Sequence, residues 1–165
     1  MVLKLMSRFL VACLVFCSIG TTSVDAFLFS NPLIDQPAQN FTLYTLAGEK
    51  TSLDRAREDN RAIVFFWATW CPYCRGALKQ IKPKIASLKE SGIELIMVNV
   101  GEDKSTVADY INHIDIGDVT VFLDTDGAIS SDYLVEGLPT FIFINGQGLV
   151  VDVGHELPSD LTQIF

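Results

Sequence analysis

An apolar run that ends in two closely spaced cysteines limits the folds open to this chain of 165 residues. Residues 62–67 are apolar at every position, which is typical of a central strand covered on both faces. Residues 70–74, Trp-Cys-Pro-Tyr-Cys, follow, and residues 75–90 carry apolar side chains at the spacing of an amphipathic helix. The sequence therefore places Cys71 and Cys74 where a buried strand passes into a helix.

Two thiols separated by two residues can close a small, reversible disulfide. Cys71 lies near the predicted helix N-terminus, where unpaired N–H groups and the positive end of the macrodipole stabilise a thiolate. We therefore predict that Cys71 is the exposed nucleophile and that Cys74, one turn inside, is the more buried thiol that resolves the mixed disulfide. Pro72 suits the first helical turn, and Tyr73 adds bulk without charge. Beyond this redox-active disulfide, no cofactor is expected.

The N-terminus has the pattern of a segment that directs export. Lys4 and Arg8 precede a 12-residue apolar stretch at 9–20, and small residues stand near a cleavage site after Ala26. The stretch is short for a membrane span, which needs about 20 residues. We predict a signal peptide at 1–26, with an N-terminal membrane anchor as the alternative, and one domain at 27–165. The predicted location is periplasmic or otherwise extracytoplasmic.

Charge and cysteine usage exclude several classes of function. The formal net charge is -8 at pH 7 and no basic stripe occurs, so we expect no nucleic-acid partner. Cleavage after Ala26 removes Cys13 and Cys17 and leaves one Cys pair, unlike a disulfide-stapled scaffold. No second Cys pair or His pair stands at zinc-ligand spacing, so no metal site is expected. His113 and His155 stand alone and are predicted to be structural.

The remaining pattern predicts an α/β fold, with a mixed central sheet flanked by helices and an N-terminal β-hairpin extension. Pro83 is predicted to interrupt the helix that follows the cysteines, and Ser105 is predicted to cap the next helix. A very short helix is expected after Pro158. The predicted strands are 41–46, 51–53, 62–67, 93–100, 119–123, 140–144 and 149–153, and the helices are 75–90, 105–114 and 129–134.

A second motif, Gly-Leu-Pro-Thr at 137–140, precedes a predicted buried strand. Beside a Cys pair, this context favours a cis peptide bond before Pro139 that packs near the functional site. Leu138 would then offer its backbone N–H and C=O to an extended substrate segment. Trp70 and Tyr73 are predicted to border the site, where they shield it or contact substrate.

These motifs together resemble the thioredoxin superfamily and, more narrowly, the exported TlpA/ResA-like thiol–disulfide oxidoreductases. The likeness covers about residues 35–157. The resemblance implies a thioredoxin-like fold, a cis-Pro139 facing the Cys pair, and reduction of apocytochrome c thiols before haem attachment. Relatives carry acidic residues that serve the proton of the buried thiol, and those positions here hold Ala77 and Phe65. The residues that carry the resemblance are Pro37, 41–43, Gly48 and Leu53 in the N-terminal hairpin, together with 66–75, 98–100, 122–124, 137–140 and 146–148.

We predict an enzyme, an exported thiol–disulfide oxidoreductase that exchanges disulfides with protein substrates and acts as a reductase. Its expected partners are protein thiols or disulfides and a membrane or periplasmic electron donor, and we expect a monomer. Oxidation or isomerisation is the main alternative. A peroxiredoxin-like peroxidase is disfavoured because Val64 and Ala68 replace the Pro and the Thr or Ser it needs. A copper-binding module is disfavoured by the short Cys spacing, with His155 only a loose candidate ligand.

Overall fold

A computed structural model describes residues 31–165, and the predicted signal peptide at 1–26 lies outside them and stays a prediction. Within 31–165, no helix combines the length and the apolar character that crossing a membrane requires. The strands are β1 (Thr42–Tyr44), β2 (Lys50–Ser52), β3 (Arg61–Trp67), β4 (Ile93–Val100), β5 (Thr120–Asp124), β6 (Thr140–Ile144) and β7 (Val150–Gly154). The helices are α1 (Leu53–Arg57), α2 (Pro72–Ile81), α3 (Ile85–Glu90), α4 (Lys104–Ile114) and α5 (Ala128–Asp132), with 3₁₀ turns at Lys82–Lys84 and Leu161–Gln163.

Five strands form one mixed sheet in the order β5-β4-β3-β6-β7. β4 pairs in parallel with both β3 and β5, whereas β6 pairs antiparallel with β3 and with β7. β3 is therefore central, and all six residues from Ala62 to Trp67 are fully buried. This arrangement confirms the predicted fold class and the predicted central strand, because a strand apolar on both faces needs cover on both sides.

The two faces of the sheet build two apolar cores. Alternate side chains of a strand point to opposite faces, so Phe65 and Trp67 join one core and Val64 and Phe66 the other. The first core is covered by residues of α2, α3 and α4. The second packs against Phe41, just before β1, and against residues of α1 and α5. This layering holds the start of α2 against the end of β3, where the cysteines lie.

The N-terminal hairpin is present as an antiparallel pair of β1 and β2, in which Thr42 lies opposite Ser52. An isolated bridge between Thr45 and Phe122 attaches the hairpin to the edge strand β5. Phe41 packs against β5, where its ring lies edge-on to the ring of Phe122 with the two centroids 5.2 Å apart. The predicted extension is thus confirmed, and it covers one edge of the main sheet.

The break in the helix at Pro83 was predicted correctly, whereas the residue that caps α4 was predicted wrongly. Pro83 interrupts the helix as predicted, because proline lacks the N–H that a helix interior requires. Ser105 does not cap α4, because Asp103 accepts the Thr106 N–H at 2.9 Å and starts the helix at Lys104. The Ser105 hydroxyl instead donates to the Asp103 carboxylate. These hydrogen bonds lower the pKa of Asp103 to about 2.

Candidate active site

Cys71 and Cys74 form a disulfide at the N-terminus of α2, with their Cα atoms 5.2 Å apart. Cys71 is the N-cap residue and Pro72 follows as the first helical residue, where its missing N–H costs nothing. The Cys71 sulfur accepts the backbone N–H of Cys74 at 3.1 Å. The sequence folds this way locally because the apolar strand β3 ends at Trp67 and a proline can only begin a helix, not continue one.

The prediction that Cys71 is exposed is wrong for the disulfide form. Cys71 is 2% exposed and Cys74 is 0% exposed. The reason is tertiary, since the Cys71 sulfur lies 3.6 Å from the carbonyl oxygen of Leu138, so the loop before β6 covers it. The two aromatic neighbours behave differently, because Trp70 is 66% exposed and Tyr73 is 77% exposed. These two exposed aromatic residues neighbour the cysteines in the chain, and we call them the aromatic rim.

The peptide bond between Leu138 and Pro139 is cis, as the sequence context favoured. Pro139 is buried and Leu138 is half-buried. The Thr140 hydroxyl donates to the Gly137 carbonyl at 2.6 Å and closes the loop on itself. The structure therefore brings together the two motifs that the sequence singled out, although they lie far apart in the chain.

His155 contacts this loop, and sequence reasoning missed the contact. Its Nδ1 lies 2.8 Å from the Pro139 carbonyl oxygen and 3.5 Å from the Thr140 hydroxyl. A carbonyl oxygen only accepts hydrogen bonds, so Nδ1 carries the hydrogen in this contact. No local sequence signal marks this role, because β7 and β6 bring the residue to the loop through sheet pairing.

Glu102 was also missed, and it anchors the segment that leads into Cys71. Its carboxylate accepts the Thr69 N–H at 2.7 Å, the Thr69 hydroxyl at 2.5 Å and the Asn99 side-chain amide at 2.7 Å. Arg75 donates to the Thr69 carbonyl at 3.3 Å, so both polar groups of the Thr69 backbone are held. The strand order could have indicated this contact. Strands β3 and β4 are parallel, so the residues that follow them, Thr69 and Glu102, lie at the same edge of the sheet.

Phe65 and Ala77 stand where the resemblance implies acidic residues, and the two positions have different surroundings. Phe65 is fully buried, and its ring stacks on Phe141 with the centroids 4.7 Å apart. Ala77 is half-buried and lines a groove of about 320 Å³ beside the disulfide. We call this the cis-proline groove, and its other walls include Tyr73, Pro139 and His155. Within residues 31–165, no cluster of three or more His, Cys, Asp or Glu residues could hold a metal ion.

Comparison with known proteins agrees with this geometry. Residues 34–153 match the model of the AhpC/TSA family. The chain belongs to this family. The thiol-disulfide oxidoreductase ResA of Bacillus subtilis is 31% identical over 139 residues, which cover 83% of this chain and 76% of ResA. The thiol:disulfide interchange protein DsbE of Yersinia pestis is 28% identical over 142 residues, covering 85% of this chain and 73% of DsbE.

Solved structures agree on the fold. A thioredoxin-family thiol:disulfide interchange protein from Chlorobium tepidum has a TM-score of 0.66 and 27% identity, over 78% of this chain and 92% of its own. StoA from Bacillus subtilis has a TM-score of 0.62 and 23% identity, over 80% of this chain and 96% of its own. The fold is thioredoxin-like, and the protein is a thiol–disulfide oxidoreductase of the ResA/DsbE type. Both results confirm the fold and the enzyme class predicted from the sequence.

Proposed function

We propose that this protein is an exported reductase that transfers electrons to protein disulfides through Cys71 and Cys74. The observation that carries the proposal is the placement of the Cys71 sulfur at the N-terminus of α2. There it meets the Cys74 N–H at 3.1 Å and faces the carbonyl of Leu138 in the cis-proline loop. The N–H stabilises a negative sulfur, and the loop lies where an extended substrate backbone would pair.

The first step of the proposed cycle is attack by the Cys71 thiolate on one sulfur of a substrate disulfide. A new bond forms between Cys71 and that sulfur, and the substrate disulfide breaks. The other substrate sulfur leaves as a thiolate and takes a proton from solvent. The Cys74 N–H lies in the first turn of α2, where it has no acceptor within the helix, and it donates to the Cys71 sulfur instead. This contact favours the reactive Cys71 thiolate in the reduced protein.

The second step resolves the mixed disulfide. Cys74 loses its proton, attacks the Cys71 sulfur, and releases the substrate as a second thiolate. The substrate has then gained two electrons, and the protein holds the Cys71–Cys74 disulfide seen in the structure. A dithiol of an electron donor must reduce that disulfide before the next cycle, so we propose a membrane or periplasmic protein in that role.

Substrate recognition is proposed to use backbone groups and the aromatic rim. Leu138 offers backbone groups to an extended chain, while Trp70 and Tyr73 offer exposed apolar rings. Backbone pairing tolerates many sequences, which suits protein thiols rather than one small molecule. A disulfide of apocytochrome c, reduced to its two thiols before haem attachment, is the proposed substrate, as the resemblance to TlpA/ResA-like proteins implies. The names of the related proteins ResA and DsbE support the coarser part of this proposal, exchange between thiols and disulfides.

Location and assembly complete the proposal. Residues 1–26 are proposed to direct export as a cleaved signal peptide, with retention as a membrane anchor as the alternative. The protein is proposed to act as a monomer and without a cofactor, since the disulfide itself carries the electrons.

A trapping experiment tests the assignment of roles. In the exported compartment, a Cys74→Ser variant should accumulate a mixed disulfide with its substrate, because resolution needs the second thiol. A Cys71→Ser variant is the matched control and should form no adduct. Mass spectrometry of the trapped partner identifies the substrate. Adducts on Cys71→Ser but not on Cys74→Ser would reverse the roles.

The direction of transfer needs a separate measurement. Equilibration with reduced and oxidised glutathione gives the reduction potential of the Cys71–Cys74 pair. A reductase should have a potential well below that of the glutathione pool of an oxidising compartment. A potential as high as those of strong disulfide donors would support oxidation instead.

A further inference from the structure

A second groove runs along the opposite side of α2 from the cis-proline groove. It has a volume of about 500 Å³ and lies between α2 and α4. Leu78 and Ile116 are buried in its floor, and Tyr110 and Ile114 of α4 are half-buried along its wall. We call it the α2–α4 groove. Its size is within the range of sites that bind side chains or small ligands.

Three cations line this groove, in a protein whose overall charge is negative. Arg75 and Lys79 of α2 and Lys82, the C-cap residue of α2, follow one another at spacings of four and three, so they share one face of the helix. The ion pairs found within residues 31–165 both belong to Arg57, so none of these three cations is neutralised by a carboxylate there. The groove is therefore a local positive region on a chain of formal charge -8.

The groove is connected to the disulfide through Arg75. This residue directly follows Cys74, and its guanidinium donates to the Thr69 carbonyl at 3.3 Å, two residues before Cys71. Trp70 lies between Thr69 and Cys71 in the chain and is 66% exposed. Lys82 donates to the Ile114 carbonyl at 2.7 Å, which ties α2 to α4 at the far end. A molecule in the groove thus lies next to the segment that carries the reactive sulfur.

We propose that the α2–α4 groove docks an acidic segment of the protein that exchanges electrons with Cys71–Cys74 in the half-cycle opposite to the substrate. An apolar side chain of that segment enters between Leu78 and Ile114, and flanking carboxylates meet Arg75 and Lys79. This inference rests on the proposed function, since that cycle needs two protein partners at one disulfide. It assigns them to opposite sides of α2.

Charge decides the occupant. The formal charge of -8 opposes the approach of an acidic partner in general, whereas Arg75, Lys79 and Lys82 attract it at this groove. That difference orients the partner before contact and rejects other orientations. A basic partner would have most of the surface available to it but would be excluded from this groove by its three cations.

The test uses a synthetic peptide as the probe, with the sequence Glu-Asp-Glu-Leu-Phe-Glu-Asp-Glu. A control peptide replaces every acidic residue with Lys. Titration of the oxidised, ¹⁵N-labelled protein at low salt should shift backbone amides of α2 and α4 with the acidic peptide and not with the basic one. Binding should weaken as salt rises, because exposed charges are screened.

A matched pair of variants locates the site. Lys79→Glu reverses a charge in the groove and should weaken binding about three- to tenfold, as expected for loss of one exposed attraction and gain of a repulsion. Lys89→Glu reverses an exposed lysine outside the groove and should leave affinity within about twofold, since only screened long-range effects remain. Equal weakening by both variants, equal binding of both peptides, or shifts outside α2 and α4 would each overturn the proposal.

A parallel assay separates this inference from the proposed function. Exchange of the wild-type Cys71–Cys74 pair with a small-molecule disulfide tests the redox cycle without any docking. If that exchange fails while the acidic peptide still binds the groove, the proposed function is wrong and the binding surface stands. If exchange proceeds and the peptide does not bind, the docking proposal alone is overturned.

Discussion

The two grooves beside α2 differ in the way they can select a partner. The cis-proline groove is lined by Tyr73, Ala77 and His155, and it adjoins backbone groups of the loop before β6. The α2–α4 groove has an apolar floor with Arg75 and Lys79 above it. Backbone pairing accepts many sequences, whereas a cationic apolar groove selects by charge. If both proposals hold, this difference would let one disulfide serve many substrates and still be specific for a single donor.

Helix geometry explains how both grooves reach the same sulfur. Residues three or four apart share a face of a helix, so 75, 79 and 82 face α4 while 73, 76, 77 and 80 face the cis-proline loop. Both faces begin at the N-terminus of α2, where Cys71 is the cap. Variants on either side can therefore change one groove without the other.

The largest effect is expected at Glu102, which anchors the segment before Cys71 on the α4 side of the site. Glu102→Ala removes the acceptor of three hydrogen bonds and leaves the amide of the fully buried Asn99 without its partner. The free energy of unfolding should fall by about 1–3 kcal/mol, the cost of buried polar groups left unpaired. Urea unfolding of the oxidised protein measures this. Glu90→Ala, at an exposed position, is the control and should change little.

A second substitution at Glu102 tests the same hydrogen bonds, through both the stability and the rate of thiol–disulfide exchange. Glu102→Gln keeps one oxygen acceptor and should lose less stability and less activity than Glu102→Ala. Unchanged stability of Glu102→Ala would mean that the contacts around Thr69 contribute nothing to the folded state.

A smaller effect is expected at His155, on the cis-proline side. His155→Ala removes the donor to the Pro139 carbonyl and loosens the loop that is proposed to bind the substrate backbone. Reduction of a protein disulfide should slow about two- to tenfold, the range that a single hydrogen bond accounts for. Reduction of a small-molecule disulfide should change less, because it needs no backbone pairing.

Substitution by a residue that keeps a donor is the control for this prediction. His155→Asn should recover part of the rate with the protein substrate. Equal slowing with both kinds of disulfide would show instead that His155 acts on the cysteines themselves.

The smallest effect is expected at Asp103, which caps α4 and so supports the wall of the α2–α4 groove. Its pKa falls from the ordinary value of 3.8 to about 2 in the folded protein, because Ser105 and Thr106 donate hydrogen bonds to the carboxylate. Because this pKa is lower in the folded state, the ionised Asp103 stabilises the folded protein. That stabilisation is fully present above pH 3.8, the pKa of the unfolded state, and is lost as the pH falls toward the folded-state value of about 2. Asp103→Ala should therefore melt a few degrees lower at neutral pH, and the gap should close in acid.

Asp109→Ala is the control on the same helix, since Asp109 is exposed and does not cap it. Thermal unfolding followed by circular dichroism at several pH values compares the two variants. A gap for Asp103→Ala that stayed constant down to pH 2 would contradict the role of the ionised cap.

Much of the fold could be predicted from local patterns. The apolar residues of β3, the Cys pair and the amphipathic helix after it each carry their own signal, and the structure places all three as expected. The break at Pro83 and the N-terminal hairpin follow equally from local chemistry. The wrong cap at Ser105 shows the limit of such rules, because Asp and Ser are similarly good caps and stand only two residues apart.

The site was only partly predictable. Its cysteines and the cis-proline motif have distinctive sequences, whereas His155 and Glu102 do not. The exposure of Cys71 was predicted wrongly because the covering group is the carbonyl of Leu138, which belongs to another part of the chain. Backbone carbonyls and single polar residues carry no pattern of their own in a sequence.

The sequence by itself determined the chemistry and the class of fold, because spacing of thiols, apolar periodicity and proline act over a few neighbouring residues. Only the tertiary structure decided how the Cys71 sulfur is buried and which groups surround it. It also decided the opposite character of the two grooves, since these depend on α4 and on the loop at His155 packing beside α2. Such contacts join residues that are distant in the chain, and pairing of strands and helices is what brings them together.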